Sequence, residues 1–271
     1  MKIGCLAYIN SLPVTWGLES GAVTPGTEVI SAEPSRLNQL TQEGALDVTP
    51  VSSIQWLHCH ERYRALPGLA LSSRGPVQSV KLFSRIPVAE LAGKRVAITG
   101  ASATSRILLQ ILVPGLIPVA LQGPPQLSAD LPACLLIGDQ ALLQAPPAEH
   151  SLDLGQAWFE HTGGLPMVFA MWLVHRRADL EAASRLLRES QQWGLRNRDQ
   201  VLREAARRTG LSAARLDDYY RGLYFHVGEA EQRGLFEYYR QAARLGLAPE
   251  APESMCSEFS RSEAMALEAR I

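Results

Sequence analysis

Short apolar runs that end in small polar residues alternate with helix-like patterns along the first half of the chain. Four of these runs lie at residues 2–7, 46–51, 95–99 and 133–137. Each has the length and bounding residues of a strand, and a helical pattern begins after the polar turn that follows it. Repetition of this unit predicts largely parallel sheets with crossover helices, where ligands bind beyond the carboxyl ends of the strands. The pattern therefore predicts an α/β fold with a binding cleft.

Two extended segments, residues 82–87 and 166–175, bracket the middle strand–helix unit. Proline and glycine interrupt any helical pattern around the first segment, so it reads as a strand that enters a second unit. A chain needs two crossings to pass from one domain into another and to return. The sequence therefore predicts a discontinuous first domain, residues 1–84 and 174–271, and an inserted second domain, residues 85–173.

The last third of the chain has helical spacing. Segments 179–193, 199–209 and 212–220 each open on a capping-type residue, and segment 228–245 repeats apolar residues at helical intervals. Residues 251–271 have no clear partner in this pattern and read as a last helix or a loose tail. The aromatic side chains of the helical region are Tyr219, Tyr220, Tyr224, Phe225, Tyr238 and Tyr239. We predict that they pack in and around the core and do not form a base-stacking platform.

Composition and charge narrow the range of partners. The 271 residues are 46% hydrophobic, and 26 Lys and Arg side chains nearly balance 27 Asp and Glu side chains. Because no block of positive charge stands out, we expect no nucleic-acid partner and no membrane partner. The first residues carry no signal-type apolar region, which predicts a cytoplasmic protein. Cys5, Cys59, Cys134 and Cys256 lack paired spacing and are predicted to be reduced and structural.

Hydroxyl-bearing residues follow two of the predicted strands. Ser52 and Ser53 follow one strand, and Ser102, Thr104 and Ser105 follow another. A helix start exposes unpaired backbone N–H groups and a partial positive charge, so it can hold a carboxylate without any Lys or Arg. Ser and Thr are also ordinary helix caps, which is the alternative interpretation of each pair or triplet. Their joint occurrence at strand ends favours a site for a small anion.

Asn10 and the polar loop at residues 72–79 are further candidates for ligand contacts. Asn10 follows the first strand and precedes Pro13, so its amide would project from a strand end with a donor and an acceptor, or else satisfy its own turn. Walker-type, G-x-S-x-G and C-x-x-C signatures are missing. The alternating side chains of residues 58–60 would diverge on a short helix, so we predict no metal site there.

Several short motifs occur in a fixed order through residues 2–175. They are Tyr8-Ile9-Asn10-Ser11-Leu12-Pro13 and the segments at residues 44–48, 51–54, 75–79, 102–105, 136–142 and 153–170. This ordered set resembles the chorismate dehydratases of the futalosine route to menaquinone. Arg74 departs from the Asp that this family often has before Gly-Pro-Val, which would alter the polarity of the cleft edge. Gly163 and Gly164 add one residue to the usual T-G-L-P, which suggests a local bulge.

The resemblance implies a two-domain type II periplasmic-binding-protein-like fold in which an interdomain cleft serves catalysis. It also implies loss of water from chorismate, without metal or organic cofactor, to give 3-[(1-carboxyvinyl)oxy]benzoate. Proton transfer from C3 to the substrate's own enolpyruvyl carboxylate would depend mainly on orientation. The predicted catalytic residues are Asn10 and Ser79, and the predicted substrate-binding residues are Ser52, Ser53, Ser102, Thr104, Ser105, Gly138 and Asp139. Asp139 would cap its helix or support the site, or act as a protonated general acid.

Three other functions are compatible with the predicted fold. A noncatalytic solute-binding protein would use the same helix starts, although no export signal is evident. The sister enzyme that makes dihydroxynaphthoate would need a catalytic histidine, for which the sequence offers no convincing counterpart. A ligand-sensing regulatory domain would need a DNA-binding segment, which is also not evident. The oligomeric state does not follow from the sequence.

Overall fold

A computed structural model describes residues 1–24 and 27–255, and the strands in that part of the chain form two five-stranded sheets. The strands are β1 (Lys2–Leu6), β2 (Glu28–Ala32), β3 (Val48–Ser52), β4 (Tyr63–Ser73), β5 (Val80–Ser84), β6 (Arg95–Ile98), β7 (Ile117–Ala120), β8 (Ala133–Ile137), β9 (His150–Asp153) and β10 (Met167–His175). The order is β2-β1-β3-β10-β4 in the first sheet and β7-β6-β8-β5-β9 in the second. The α/β class predicted from the pattern is confirmed.

Both sheets are mixed. The pairs β1–β2, β1–β3, β6–β7 and β6–β8 are parallel, whereas β10 runs antiparallel to β3 and β4, and β5 runs antiparallel to β8 and β9. The prediction of largely parallel sheets is therefore wrong at β5 and β10. Both are the strands by which the chain changes sheets, and each lies between two strands of its new sheet with reversed direction.

The crossing strands β5 and β10 lie at the two predicted domain boundaries. Residues 80–84 pair within the second sheet, where Val80 lies opposite Ile137. Residues 167–175 pair within the first sheet, where Ala170 lies opposite Ser52. Boundaries at 84/85 and 173/174 remain a prediction, and the strand pairing assigns β5 to the second sheet and β10 to the first.

Helices cover the sheets and fill the last third of the described chain. They are α1 (Leu12–Glu19), α2 (Pro34–Gln42), α3 (Trp56–Cys59), α4 (Ala103–Leu112), α5 (Gly138–Leu143), α6 (Leu154–His161), α7 (Leu180–Arg196), α8 (Arg198–Thr209), α9 (Ala213–Arg221) and α10 (Glu229–Arg244). In the described ranges, no helix has the length and apolar character needed to cross a bilayer.

The predicted caps of α7 and α9 are confirmed, whereas the predicted cap at Asp199 is wrong, because α8 begins at Arg198 and Asp199 lies within its first turn. The Asp179 carboxylate accepts hydrogen bonds from the first turn of α7, and the Ser212 hydroxyl does the same for α9. Gly210 ends α8 in the left-handed conformation with a φ of 73°. Side-chain caps satisfy N–H groups that lack helical partners. The predicted helical third is confirmed as far as residue 255, and most of the 251–271 segment, with Cys256, lies outside the described residues.

The main hydrophobic core extends through both sheets. Strands β3 and β8 are buried along their whole length, and all of β10 except His175 is buried. Burial on both faces explains why the sequences of β8 and β10 are almost entirely apolar, while β3 also carries the buried polar residues Thr49 and Ser52. Cys5, Cys59 and Cys134 are free thiols buried in this interior. Burial raises the pKa of the Cys59 thiol to about 12 and that of Cys134 to about 11, so both stay protonated.

Candidate functional site

The ends of strands from both sheets meet around a cavity of about 50 Å³. Its walls come from the turns after β1, β3, β6 and β8 and from the crossing strands β5 and β10. The lining residues are Leu6, Tyr8, Asn10, Pro34, Ser52, Leu71, Val80, Ser102, Ser105, Ile137, Gly138, Phe169 and Ala170. Five of the sequence-predicted site residues are thus brought together: Asn10, Ser52, Ser102, Ser105 and Gly138.

Asn10 lies in a single turn of 3-10 helix directly after β1, and its side chain borders the cavity. The residue is 9% exposed, and its Oδ1 atom has no hydrogen-bond partner within the described part of the chain. The turn itself is stabilised by the Ser11 hydroxyl, which donates to the carbonyl oxygens of Leu6 at 2.9 Å and Tyr8 at 3.0 Å. Because Ser11 does this, the Asn10 Oδ1 atom stays available to a ligand.

The backbone N–H and the backbone carbonyl of Ile9 each form a hydrogen bond with a different side chain. The Ile9 N–H donates to Asp139 Oδ1 at 3.1 Å, and the Ile9 carbonyl accepts from the Tyr220 hydroxyl at 2.9 Å. Burial raises the pKa of Asp139 to about 6, although the Ile9 N–H and the Arg208 charge both oppose the rise. Asp139 therefore supports the Asn10 turn from the second sheet and does not line the cavity.

Tyr8 and Gly138 approach each other across the cavity. Gly138 has a φ of 56°, and a Cβ atom placed there would lie 2.7 Å from the Tyr8 ring. A side chain at this position would be strained and would also displace the ring. The sequence predicts Gly138 as a binding residue but assigns no role to Tyr8, although Tyr8 opens the motif that contains Asn10.

The start of α4 combines a helix cap with a cavity wall. Ser102 Oγ accepts a hydrogen bond from the Ser105 N–H at 3.2 Å, and the two hydroxyl oxygens are 3.0 Å apart. Both side chains line the cavity. The capping interpretation and the binding interpretation of these serines are therefore compatible. Ser52 also lines the cavity, and its N–H donates to Asn38 Oδ1 at 3.4 Å.

Ser53 and Thr104 are placed differently from their neighbours. Both are fully buried, and their hydroxyl oxygens are 3.1 Å apart. Thr104 Oγ1 also accepts from the Ile54 N–H at 3.1 Å. Neither residue is among those that line the cavity. These two hydroxyls join the turn after β3 to helix α4 and so connect the two sheets.

Ser79 lies at the start of β5, one residue before the cavity-lining Val80. It is 1% exposed, and its Oγ atom accepts a hydrogen bond from the Tyr219 hydroxyl at 2.8 Å. Its carbonyl accepts from the Gly138 N–H at 2.7 Å. Ser79 is therefore connected both to the second sheet and to helix α9, behind the cavity wall.

Asp153 organises the loop that leads into β5, a role that sequence reasoning missed. Its Oδ1 atom caps α6 and accepts from the Val77 N–H at 3.0 Å, and its Oδ2 atom accepts from the Gln78 N–H at 2.7 Å. Gly155 lies against the same loop, where a Cβ atom would lie 2.5 Å from the Gly75 carbonyl oxygen. The Asp-x-Gly spacing was the available signal, since it places a carboxylate and a gap on one helix start.

The two departures at Arg74 and in the glycine pair lie outside the cavity wall. Arg74 forms an ion pair with the buried carboxylate of Glu231 on α10 at 2.8 Å. Gly163 and Gly164 both have positive φ, and they form the turn that ends α6. The extra glycine therefore lengthens a helix-terminal turn.

A second and larger concavity of about 600 Å³ borders the first at Ser102. It is a groove along α4 that includes Arg106 and Asn38. Fewer of the predicted residues meet there, so the smaller cavity is the candidate site. Among its lining residues in the described chain there is no Lys, Arg or His. An anion would therefore be held by hydroxyls, the Asn10 amide and helix starts.

Two mixed sheets, joined by two crossing strands around a cavity between their strand ends, define a protein of the periplasmic-binding-protein-like class. The alkanesulfonate-binding protein of Xanthomonas axonopodis pv. citri has the same fold, with a TM-score of 0.61 at 15% identity over 92% of this chain and 94% of that chain. A family model described as menaquinone biosynthesis matches residues 1–244. The chain belongs to this menaquinone biosynthesis family.

Two enzymes of Thermus thermophilus are similar to the chain over nearly its whole length. Its chorismate dehydratase is 32% identical over 269 residues, which cover 91% of this chain and 96% of that protein. Its 1,4-dihydroxy-6-naphtoate synthase is 26% identical over 276 residues, which cover 94% and 98%. The similarity to the first confirms the resemblance that the ordered motifs carry.

Proposed function

We propose that the protein is a chorismate dehydratase, a hydro-lyase that removes water from chorismate to form 3-[(1-carboxyvinyl)oxy]benzoate in menaquinone biosynthesis. The observation that carries the proposal is the buried, unpartnered Oδ1 atom of Asn10 at the wall of a cavity between the two sheets. The 32% identity to a chorismate dehydratase over 91% of the chain supports the choice of substrate and reaction.

The reaction needs few groups from the protein because the substrate supplies much of the chemistry. The C3–H bond and the C4–O bond break, the C3–H electron pair completes the aromatic ring, and the departing hydroxide takes up a proton to leave as water. In our proposal the enolpyruvyl carboxylate of chorismate accepts the C3 proton. The Asn10 amide binds the C4 hydroxyl, and its fixed position supplies orientation. This role suits a cavity without a paired acid and base.

The proposed carboxylate anchors are the hydroxyls of Ser52, Ser102 and Ser105 with the N-terminus of α4. A helix start favours an anion through its free N–H groups and its dipole. The apolar side chains of Phe169 and Leu71 on the same wall exclude water, which strengthens those polar contacts. Ser79 lies behind the wall, next to Val80, and in our proposal it contacts the substrate once the cavity has widened to hold it.

The sister activity is the second candidate because the naphtoate synthase is also similar, at 26% identity. An enzyme of that kind is expected to depend on a catalytic histidine. None of the chain's six histidines is among the residues that line the cavity. A noncatalytic binding protein remains the third candidate, and it would bind chorismate without changing it.

The test is incubation of the purified protein with chorismate, followed by mass spectrometry of the product. We expect a loss of one water from chorismate, and chorismate that stays unchanged in the presence of folded protein would contradict the proposal. Asn10→Ala should lower kcat about 100-fold or more with a small change in melting temperature, because an orienting contact is lost. Asn197→Ala, at the end of α7 and away from the cavity, is the matched control and should keep wild-type turnover.

A further inference from the structure

Helix α9 carries two adjacent tyrosines, one of which bonds to the predicted catalytic residue Ser79 and the other to Ile9, the residue before Asn10. Tyr219 donates to Ser79 Oγ at 2.8 Å, and Tyr220 donates to the Ile9 carbonyl oxygen at 2.9 Å. Both tyrosines are buried, with 1% and 6% of their surface exposed. Sequence reasoning assigned them to packing alone. Their hydroxyls instead make directed contacts to segments from different sheets.

The contact from Tyr220 acts on the peptide group that leads into Asn10. The Ile9 carbonyl belongs to the bond between Ile9 and Asn10, so its hydrogen bond fixes the plane from which the Asn10 side chain projects. The N–H of Ile9 is held separately by Asp139 at 3.1 Å. With the turn fixed at both ends, the Asn10 Oδ1 atom keeps a defined direction at the cavity wall without a bond of its own.

The contact from Tyr219 acts on the hydroxyl of Ser79. Ser79 Oγ accepts a hydrogen bond from the Tyr219 hydroxyl, so the Ser79 hydroxyl can still donate a hydrogen bond of its own. The acceptor of that hydrogen bond within the described chain is the Val77 carbonyl at 3.4 Å, which is a long and weak bond. Burial raises the pKa of the Tyr219 hydroxyl well above its ordinary value, so Tyr219 stays a donor at every working pH. The Ser79 proton is thereby available to a substrate oxygen.

Helix α9 is well placed to connect the two positions. The tyrosine rings lie against each other with centroids 5.5 Å apart. Directly after the helix, Tyr224 exchanges two backbone hydrogen bonds of 2.9 Å with Ser72 at the end of β4. The helix is thus attached to the first sheet, while Tyr219 reaches the start of β5 in the second. One rigid element therefore sets the position of both Asn10 and Ser79.

We propose that Tyr219 and Tyr220 are positioning residues, which orient the Ser79 hydroxyl and the Asn10 amide for the elimination. The proposal rests on the proposed function, because it assigns how that reaction's catalytic groups are held. Neither tyrosine touches the substrate. Removing a tyrosine hydroxyl therefore loosens the group it orients and leaves the cavity wall in place.

The first experiment compares Tyr219→Phe and Tyr220→Phe with Tyr63→Phe. Tyr63 is a matched control because it is also fully buried and donates to a backbone carbonyl, that of Leu46 at 2.8 Å, away from the cavity. All three variants should lower the melting temperature by a similar amount, about 2–4 °C. Only the α9 variants should lower kcat, by about 10- to 100-fold, with KM within about twofold of wild type.

The second experiment asks whether each tyrosine acts through its partner. Tyr220→Phe is added to Asn10→Ala, and Tyr219→Phe is added to Ser79→Ala. Once the oriented group is gone, the loss of its orienting contact should cost less than about a further twofold in kcat. The proposal would be overturned if the kcat losses of the two single variants multiplied in the double variant. It would also be overturned if the α9 variants were as active as Tyr63→Phe.

The outcomes distinguish a failure of the proposed function from a failure of the positioning role alone. If wild-type protein does not dehydrate chorismate, the proposed function fails. If wild-type protein dehydrates chorismate but a Tyr219→Phe loss persists in full in the Ser79→Ala background, only the positioning role fails. Phe fills the volume of Tyr without its hydroxyl, so the variants keep the packing of the core.

Discussion

Several polar atoms around the cavity are already hydrogen-bonded, whereas the buried Oδ1 atom of Asn10 is not. Ser53 and Thr104 bond each other, and Ser102 Oγ bonds the Ser105 N–H. Asn10 Oδ1 is buried and lacks a partner within the described residues. An unpaired buried oxygen costs about as much free energy as a lost hydrogen bond. Such a cost at a cavity wall is typical of a group that is reserved for a ligand.

Asp139 should make the stability of the protein depend on pH. Its pKa of about 6 in the folded state lies above the ordinary 3.8, so the folded protein holds this proton more tightly than the unfolded chain. Stability therefore falls as pH rises from about 4 to about 6 and stays at the lower level above it. Asp139→Asn should remove this fall and be more stable than wild type above pH 6, by about 1–2 kcal/mol.

The check on Asp139 is urea unfolding of both proteins between pH 4 and pH 8. Other titrating groups cancel in the difference between the two free energies of unfolding. A difference that stays constant across this range would contradict the assigned pKa. Asp218→Asn is a suitable control, because that carboxylate is 69% exposed.

Among the secondary-structure elements, helix α10 depends on a partner from the loop after β4. The Glu231 side chain is 1% exposed, and Arg74 pairs with it at 2.8 Å. Glu231 Oε2 also accepts from the Gly228 N–H at 3.0 Å at the start of the helix. The Arg74 guanidinium lies over the Tyr224 ring, 5.2 Å from its centroid. Arg74 therefore links β4 to α10, and it is not among the residues that line the cavity.

Arg74→Ala should destabilise the protein by about 2–3 kcal/mol, because it leaves the buried Glu231 carboxylate without its counter-charge. Arg240→Ala is the control, since Arg240 is 53% exposed and pairs with Glu237 on the same helix face. Exposed pairs of that kind contribute at most about 0.5 kcal/mol. Chemical denaturation measures both variants, and equal losses would show that the Glu231 carboxylate does not need Arg74.

The molecule as a whole is in a closed arrangement. Contacts from the two sheets meet at Tyr8 and Gly138, at Ile9 and Asp139, and at Thr104. The cavity between them is about 50 Å³, whereas pockets for small organic ligands usually measure about 300 Å³ or more. We therefore expect that the proposed substrate enters only after the two sheets move apart, and that closure then removes water from the site.

A disulfide across the closed cleft should stop turnover. The Ser53 and Thr104 hydroxyl oxygens are 3.1 Å apart, so the Ser53→Cys/Thr104→Cys double variant would bring two sulfur atoms close together. After oxidation we expect at least about a tenfold loss of kcat/KM, restored by reductant. Ser53→Cys alone should not respond to oxidant. Full activity of the oxidised double variant would contradict an opening step.

Local patterns determined most of the elements. Strand β8 covers the predicted residues 133–137, and α7 and α9 begin directly after their predicted caps. Alternation, helical spacing and capping depend on neighbours a few residues away, so they can be read from a single chain. The direction of β5 and β10 was not readable in this way, because strand pairing joins segments that are far apart in sequence.

The candidate site was only partly predictable for the same reason. The amino-acid sequence alone showed that serines follow the strands and that Asn10 follows the first strand. Tertiary packing places Ser102 and Ser105 at the cavity, while it places the Thr104 hydroxyl against that of Ser53, which follows a strand of the first sheet. It also brings Tyr219 to Ser79, which is 140 residues away in the chain, and Tyr220 to Ile9, which is 211 residues away. Only the packing of two sheets and a helix sets such distances, and no local spacing encodes it.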